Sequence, residues 1–270
     1  MNFYTLAAVQ MNSQPNVKEN LDQASNLIDR AAHKGALLIS LPENFAYLGD
    51  MEQRISKAEN ISVQAEDFLR EKAAEHQVYI LGGSFPVPAD ENRVYNRSLL
   101  INPDGEIEVQ YDKIHLFDVN IPDGFTYRES NIVKPGTPEP VTFQTEELGH
   151  LGLSICYDLR FPELYRKLVD QGAEILFVPS AFTELTGEAH WHSLLRARAI
   201  ENTCYVVAPA QTGQHGPKRT TYGHSLIADP WGEIQAEAST KTGIILAEMS
   251  PDRIAEVRQQ IPSLEHRVVK

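Results

Sequence analysis

The chain has 270 residues, 42% of them hydrophobic, and a formal charge of −13. That balance argues against a nucleic-acid partner, which would need clustered Lys and Arg to displace counterions, and no basic stripe or polybasic tail is present. The aliphatic runs are too short to span a membrane, the N-terminus has no signal-peptide pattern, and two cysteines do not make a disulfide framework, so a cytoplasmic, non-membrane protein is expected.

Strands and helices alternate along the chain. YTLAAVQM (4–11) reads as a buried strand, and Val17, Leu21, Ala24, Ile28 and Ala31 then follow helical spacing, predicting a helix over 17–34 that stops before Gly35. ALLIS is a second strand, 62–77 a helix with a polar face, and 78–85 a third strand. SLLINPDGEIEVQY (98–111) is a hairpin, because Pro-Asp-Gly is turn chemistry between two alternating runs. The same order returns further on: strand 151–156, helix 162–171, strand 174–178, helix 188–203, strand 205–210 and hairpin 225–237.

The return is an internal repeat. GALLISLPENF (35–45) lies over GAEILFVPSAF (172–182) at an offset of 137, and SLLINPDGEIE (98–108) over SLIADPWGEIQ (225–235) at 127. Two matches in the same order predict two similar half-units, each a sheet with helices on one face. Burying the two bare sheet faces against each other gives an α/β fold, a four-layer α-β-β-α sandwich. With no linker or composition break, residues 1–270 are expected to form a single domain.

The stretch GLSICYDLRFPELYR (152–166) places Cys156 where an apolar run stops and a run begun by Pro162 starts. Free cysteine is usually a small buried hydrophobe, and that reading is kept for Cys204, inside ENTCYVVAPA. Cys156 differs by position. It sits at the carboxyl end of a predicted strand, where α/β sheets collect ligands, and before a helix whose N-terminus would stabilise a thiolate. Glu43, in LPENF, follows another strand end. Lys113, in YDKIHLFDV, follows the first hairpin. Taken singly, Glu43 reads equally as a loop carboxylate or cap, and Lys113 as a solvated surface lysine. None of the nine histidines lies in a cysteine-protease signature, which disfavours a cysteine peptidase. HWH (190–192) has the wrong spacing for a helical metal pair, so no metal is expected.

Together LPENF around Glu43, YDKIHLFD around Lys113 and LSICYDLRFPELYR around Cys156 resemble the nitrilase superfamily of carbon–nitrogen hydrolases, and the resemblance runs over essentially the whole chain. It implies a Glu43–Lys113–Cys156 triad, with Glu129 of FTYRES as a further acid 16 residues beyond Lys113. It also implies the same sandwich fold and a homodimer. Within the superfamily, 179–213 and 221–232 resemble the Nit-type amidases, most closely the deaminated glutathione amidases, while HLFDV (115–119) approaches the omega-amidase branch.

The implied chemistry is hydrolysis of a small carboxylated amide through a thioester, releasing ammonia. Cys156 would attack, Glu43 would carry the proton, and Lys113 with the backbone N–H of Tyr157 would meet the oxyanion. Glu129 would position Lys113 and the substrate, and no cofactor is required. Arg160, four residues beyond Cys156, is a candidate for holding a substrate carboxylate, or equally a surface salt-bridge arginine. Tyr47, Phe117, Phe182 and Thr183 are pocket candidates by adjacency to the motifs. Arg196 and Arg198 are expected in structural ion pairs. The competing reading is a catalytically silent binding module on the same scaffold.

Overall fold

The computed structural model describes residues 1–120, 126–217 and 219–269; Phe125 of the FTYRES motif and the terminal Lys270 lie outside them. The first half runs β1 (Tyr4–Gln10), α1 (Val17–His33), β2 (Ala36–Ser40), α2 (Met51–Ser56), α3 (Ala58–His76), β3 (Tyr79–Leu81), β4 (Phe85–Asp90), β5 (Arg93–Ile101) and β6 (Ile107–Asp112). A small ribbon of β7 (Asp118–Asn120) and β8 (Thr126–Arg128) follows, then β9 (Val141–Thr145). The second half runs β10 (Gly149–Leu153), α4 (Pro162–Asp170), β11 (Ile175–Phe177), α5 (Glu184–Asn202), β12 (Tyr205–Ala208), β13 (Thr212–His215), β14 (Arg219–Tyr222), β15 (Leu226–Ala228) and β16 (Ile234–Glu237). The chain closes with β17 (Gly243–Met249) and α6 (Pro251–Gln260).

The repeat read from sequence is a repeat of topology. In the first large sheet β1, β2 and β3 are parallel neighbours, β3 continues to β5, and β5 also pairs with β4 and β6. In the second, β10, β11 and β12 are parallel neighbours and β12 continues to β15 and β16. The two matched segments are β2 with β11 and the β5–β6 hairpin with β15–β16. The halves also exchange edges. The strand β17, which follows the second half, pairs antiparallel with β1, and β9, which follows the first, pairs antiparallel with β10.

Strand alternation sorts the side chains into layers. Leu6, Ala8, Leu38, Leu81 and Leu100 of the first sheet join a core with Leu151, Leu153, Ile175 and Val207 of the second. Their neighbours Ala7, Val9, Ile39, Ile80, Leu99 and Ile101 pack instead with Ala24, Leu27 and Ile28 of α1 and Ile61, Ala65 and Leu69 of α3. On the far side α4 and α5 cover the second sheet, completing the α-β-β-α sandwich. No helix among the described residues is long and apolar enough to cross a membrane.

Boundaries moved where tertiary contacts outweigh local pattern. The helix predicted from 62 starts at Ala58, and the one predicted from 188 starts at Glu184. The strand predicted over 151–156 stops at Leu153, so Cys156 does not end a strand; it opens a short 3-10 helix, Cys156–Arg160.

Gly83 shows how the first sheet shapes the loop after β2. It has φ +50°, and a Cβ there would lie 2.0 Å from the Pro42 carbonyl oxygen. Gly83→Ala is therefore expected to cost on the order of 3 kcal/mol, from left-handed strain plus displacement of the Pro42–Glu43 backbone. Chemical denaturation measures it, and a loss below about 1 kcal/mol would show that the loop yields freely.

Candidate active site

Three loops, two from the first sheet and one from the second, converge on one buried point. Glu43 follows β2, in a turn whose next residue, Asn44, has φ +58° and donates its N–H to Ser84 Oγ at 3.0 Å. Lys113 follows β6; its N–H donates to the Asn96 carbonyl at 3.0 Å and its carbonyl accepts from Gly136 N–H at 2.9 Å. Cys156 also sits in the left-handed region, at φ +48°, with its N–H donated to the Pro179 carbonyl at 3.0 Å. A residue other than glycine in that region carries a cost of about 1–2 kcal/mol, which the surrounding contacts must offset.

Asp158 is the anchor that holds this turn. Its fully buried carboxylate accepts from Ile155 N–H at 2.8 Å and Tyr111 Oη at 2.7 Å through Oδ2, and from His115 N–H at 3.0 Å through Oδ1. His115 Nδ1 lies 2.7 Å from the same Oδ1, and its ring stacks on Phe161. Arg198 reaches the far end of the turn, donating Nε and Nη2 to the Leu159 carbonyl while pairing through Nη1 with Glu201. Arg196 donates to the Gly232 carbonyl instead.

The four charged or reactive groups meet inside. Lys113 Nζ donates to Glu43 Oε1 at 3.0 Å and to Glu129 Oε2 and Oε1 at 2.9 and 3.1 Å. Glu43 Oε1 also accepts from Asn96 Nδ2 at 2.9 Å, and Oε2 from Ala181 N–H at 2.8 Å. Glu129 Oε2 accepts from Phe117 N–H at 2.7 Å. Glu43, Lys113 and Glu129 are all buried, and Cys156 nearly so.

Burial pushes the Glu43 carboxyl up, but the Lys113 ammonium and the Arg219 guanidinium override it and hold the group below the usual carboxylate range. Lys113 behaves in the same way with the opposite sign: burial disfavours its charge, and the Glu129 and Glu43 carboxylates more than restore it. Cys156 is pushed well up by burial and by the Glu43 carboxylate, which outweigh Lys113. The direction is opposite to that expected from a helix N-terminus: α4 begins at Pro162, as read from the sequence, while burial and the Glu43 carboxylate act on the thiol. Glu43 lines the same cavity as Cys156, a carboxylate placed to take the proton of the thiol. Cys204, also pushed up by burial, to about 12, donates to the Ala173 and Asn202 carbonyls and is a packing residue.

The cavity at Cys156 is lined by Glu43, Lys113 and Glu129, with Tyr157, Phe117, Phe182 and Thr183 among its walls. It is tight, about 20 Å³, and shares Phe117, Tyr127, Thr183 and Arg219 with a wider outer chamber of about 540 Å³. Two of the sequence candidates are placed elsewhere. Arg160 lies outside the cavity lining, over the Phe182 and Tyr157 rings with Nη2 3.3 Å from His190 Nδ1. Tyr47 is buried in the core between α1, α3 and the first sheet.

Sequence reasoning missed Asn96, Arg54 and Arg219. Asn96 left a trace: a fully buried amide inside the strand RVYNRSLLI, where asparagine is disfavoured. Arg54 and Arg219 left none, because MEQRIS and KRTTY read as ordinary polar surface. No histidine lines the cavity with Cys156. His192 and His224 both bond Glu237 Oε1, and His76 bonds Asp29 beside Glu75. These two clusters offer donors for a cation away from the site, with their atoms already engaged among themselves or with Lys72.

A thiol raised in this way is almost wholly protonated at neutral pH, and its thiolate fraction falls tenfold for each pH unit below its pKa. Alkylation of Cys156 by iodoacetamide should therefore keep accelerating with pH to about pH 10. A plateau near neutrality would instead reveal a preformed thiolate–ammonium pair.

Known proteins resemble the chain over nearly its whole length. The carbon–nitrogen hydrolase family model matches residues 5–259. A deaminated glutathione amidase of Synechocystis is 54% identical over 267 residues, covering 98% of each chain. The Mus musculus deaminated glutathione amidase is 40% identical, over 97% of this chain and 82% of its own. The crystal structure of Saccharomyces cerevisiae Nit3, a member of branch 10 of the nitrilase superfamily, superposes with a TM-score of 0.86 at 33% identity, over 96% of this chain and 94% of that one. The Caenorhabditis elegans NitFhit structure superposes with a TM-score of 0.91 at 40% identity, and this chain spans 99% of itself and 66% of that fusion. The chain belongs to the carbon–nitrogen hydrolase family.

Proposed function

We propose that the protein is a cysteine-dependent amidase acting on a small carboxylated amide of the deaminated glutathione type, its residues 1–270 working as one domain. One observation carries this reading: the Lys113 ammonium is held 3.0 Å from the Glu43 carboxylate in the same cavity that Cys156 lines. The names of the relatives at 54% and 40% identity support the choice of substrate.

As the Cys156 sulfur attacks the amide carbon, its proton passes to Glu43. The carbonyl oxygen becomes an oxyanion facing Lys113 and the Tyr157 N–H, and it competes with a Glu129 oxygen for the ammonium. Collapse breaks the C–N bond as Glu43 returns the proton to the departing nitrogen. A thioester remains. Water, deprotonated by Glu43, attacks it through a second oxyanion, releasing the acid and restoring the thiol. Glu129, gripping Lys113 by two oxygens and the Phe117 N–H by one, fixes the ammonium's position. A primary amide would release ammonia. In deaminated glutathione the scissile nitrogen belongs to a dipeptide, so the dipeptide amine would leave, and the outer chamber offers room for it.

The alternative is an omega-amidase acting on α-keto amides of glutamine or asparagine type, for which HLFDV speaks. A silent binding module is disfavoured, because every position the chemistry needs is filled. The same reading has the protein working in the cytoplasm as a homodimer, without nucleic acid. The exposed Leu185, Ile200 and Trp231 are available for such an interface, and both cysteines are free.

Cys156→Ala should abolish amide hydrolysis with near-native melting, and wild-type protein should yield a thioester at Cys156 by mass spectrometry; retained turnover would remove Cys156 as the nucleophile. Lys113→Ala should lower kcat by about 10³ with a much smaller change in KM, as expected for a contact that strengthens in the transition state. A raised KM with normal kcat would contradict the oxyanion role. Comparing kcat/KM for deaminated glutathione and α-ketoglutaramate separates the two substrate readings.

A further inference from the structure

Two histidines and a carboxylate meet outside the catalytic cavity. His192 comes from the middle of α5, His224 from the turn between β14 and β15, and Glu237 from the end of β16. Neither cavity described above has any of the three among its lining residues. Glu237 Oε1 lies 2.9 Å from His192 Nε2 and 2.8 Å from His224 Nδ1, so two imidazole nitrogens converge on one carboxylate oxygen. The spacing of HWH along α5 offered no such pair; tertiary structure supplies the second histidine from another element.

Packing fixes the directions of all three side chains. The Tyr222 ring stacks on His224 with centroids 4.4 Å apart and meets His192 edge-on at 6.0 Å. His224 sits in left-handed backbone at φ +54°, and its carbonyl accepts from Trp191 Nε1 at 2.7 Å. Glu237 pairs with Leu226 in the β15–β16 ladder, and the next N–H, of Ala238, donates to the Ser225 carbonyl at 2.8 Å. The side chains are 25% to 33% exposed, enough for an ion to reach them. A neutral imidazole carries its proton on either nitrogen, and in the second tautomer the nitrogen facing Glu237 presents a lone pair, the form that binds a metal. The cluster of Asp29, Glu75 and His76 differs, because the Lys72 ammonium already bridges its two carboxylates. Around Glu237 the two histidines are the only basic side chains within ion-pair distance among the described residues.

Donor type selects the ion. Two imidazoles and one carboxylate suit zinc, which takes nitrogen and oxygen donors at about 2.0–2.2 Å in a tetrahedral shell; magnesium and calcium take oxygen shells instead. Donors in a tetrahedron of that size stand about 3.3 Å apart. The three donor atoms here lie within 4.8 Å of one another, and opening the two hydrogen bonds to zinc spacing takes shifts of about half an ångström. We propose that His192, His224 and Glu237 bind a zinc ion, with water as the fourth ligand, stapling α5 to the β15–β16 hairpin. Both ends of that staple reach the wall of the catalytic cavity: Trp191 packs on Phe182, whose carbonyl accepts from Tyr222 N–H at 3.0 Å. The site is independent of the amidase reading, since none of the three residues takes part in that chemistry.

Titration calorimetry of the chelator-stripped wild-type protein should show one zinc ion bound with a Kd of about 10 μM or tighter, and no binding of magnesium at the same concentrations. Absence of zinc binding would overturn the proposal without any variant being made. A thiol also binds zinc, so the titration is repeated on Cys156→Ala, which should keep the site; its loss there would move the ion to the catalytic cavity and end the proposal. His192→Gln, Glu237→Gln and His224→Asn should each weaken zinc binding at least about thirtyfold. Asparagine is chosen at 224 because it tolerates left-handed backbone while offering no imidazole. His76→Gln, in the other cluster, should leave the affinity unchanged, and the opposite pattern would assign the ion to that cluster instead. Saturating zinc should also raise the melting temperature of the wild-type protein and leave that of His192→Gln unmoved. An equal rise in both would mean that the ion binds elsewhere.

Discussion

A lysine ammonium withdrawn from water and held between two carboxylates is the constraint on which the rest of this structure depends. Lys113 is 2% exposed, as is Glu43, and charges so deeply buried are tolerated only when nearly every donor and acceptor is met. The fold meets them from several directions. Asn96 of β5 and the Ala181 N–H after β11 satisfy Glu43, and the Phe117 N–H before β7 satisfies Glu129. One of these donors comes from the second sheet and the others from the first half, so the ion cluster also pins the two halves to each other. Removing Lys113 would strand two buried carboxylates, a change worth about 3–5 kcal/mol, whereas removing one carboxylate leaves the ammonium paired with the other.

The cluster also sets the chemistry. The Glu43 carboxyl is held down by Lys113 and Arg219, while burial and Glu43 push the Cys156 thiol up. Sulfur, carboxylate and ammonium thus share one cavity. Reaching that arrangement requires two residues other than glycine, Asn44 and Cys156, to sit in left-handed backbone. Asp158, Arg198 and the Ser84 hydroxyl hold those turns, which is why the strain survives in the folded protein.

The surroundings are less balanced than the centre. Arg54 and Arg219 line a cavity whose acids are already engaged, within a protein of net charge −13. The overall field opposes an anion, so recognition must be local, from groups packed against the cavity wall. The narrow chamber at the sulfur shares four lining residues with a wide one beside it.

Periodicity and repetition in the chain were enough to determine the layers, the paired half-units and the order of their elements, because alternation of apolar side chains and turn chemistry are local properties. The motifs around Glu43, Lys113 and Cys156 likewise stood out through their positions beside strands and hairpins. Tertiary structure alone decided three things. It decided the surroundings of Cys156, since the Glu43 carboxylate that lines its cavity is brought from the other sheet. It decided that β17 crosses to the first half to pair with β1, because edge pairing depends on which sheet lies nearest in space. And it decided which arginines line the cavity: Arg54 and Arg219 come from segments whose pattern is that of ordinary surface, and only the packing of α2 against α3 and β4, and of β14 against α5, draws them inward.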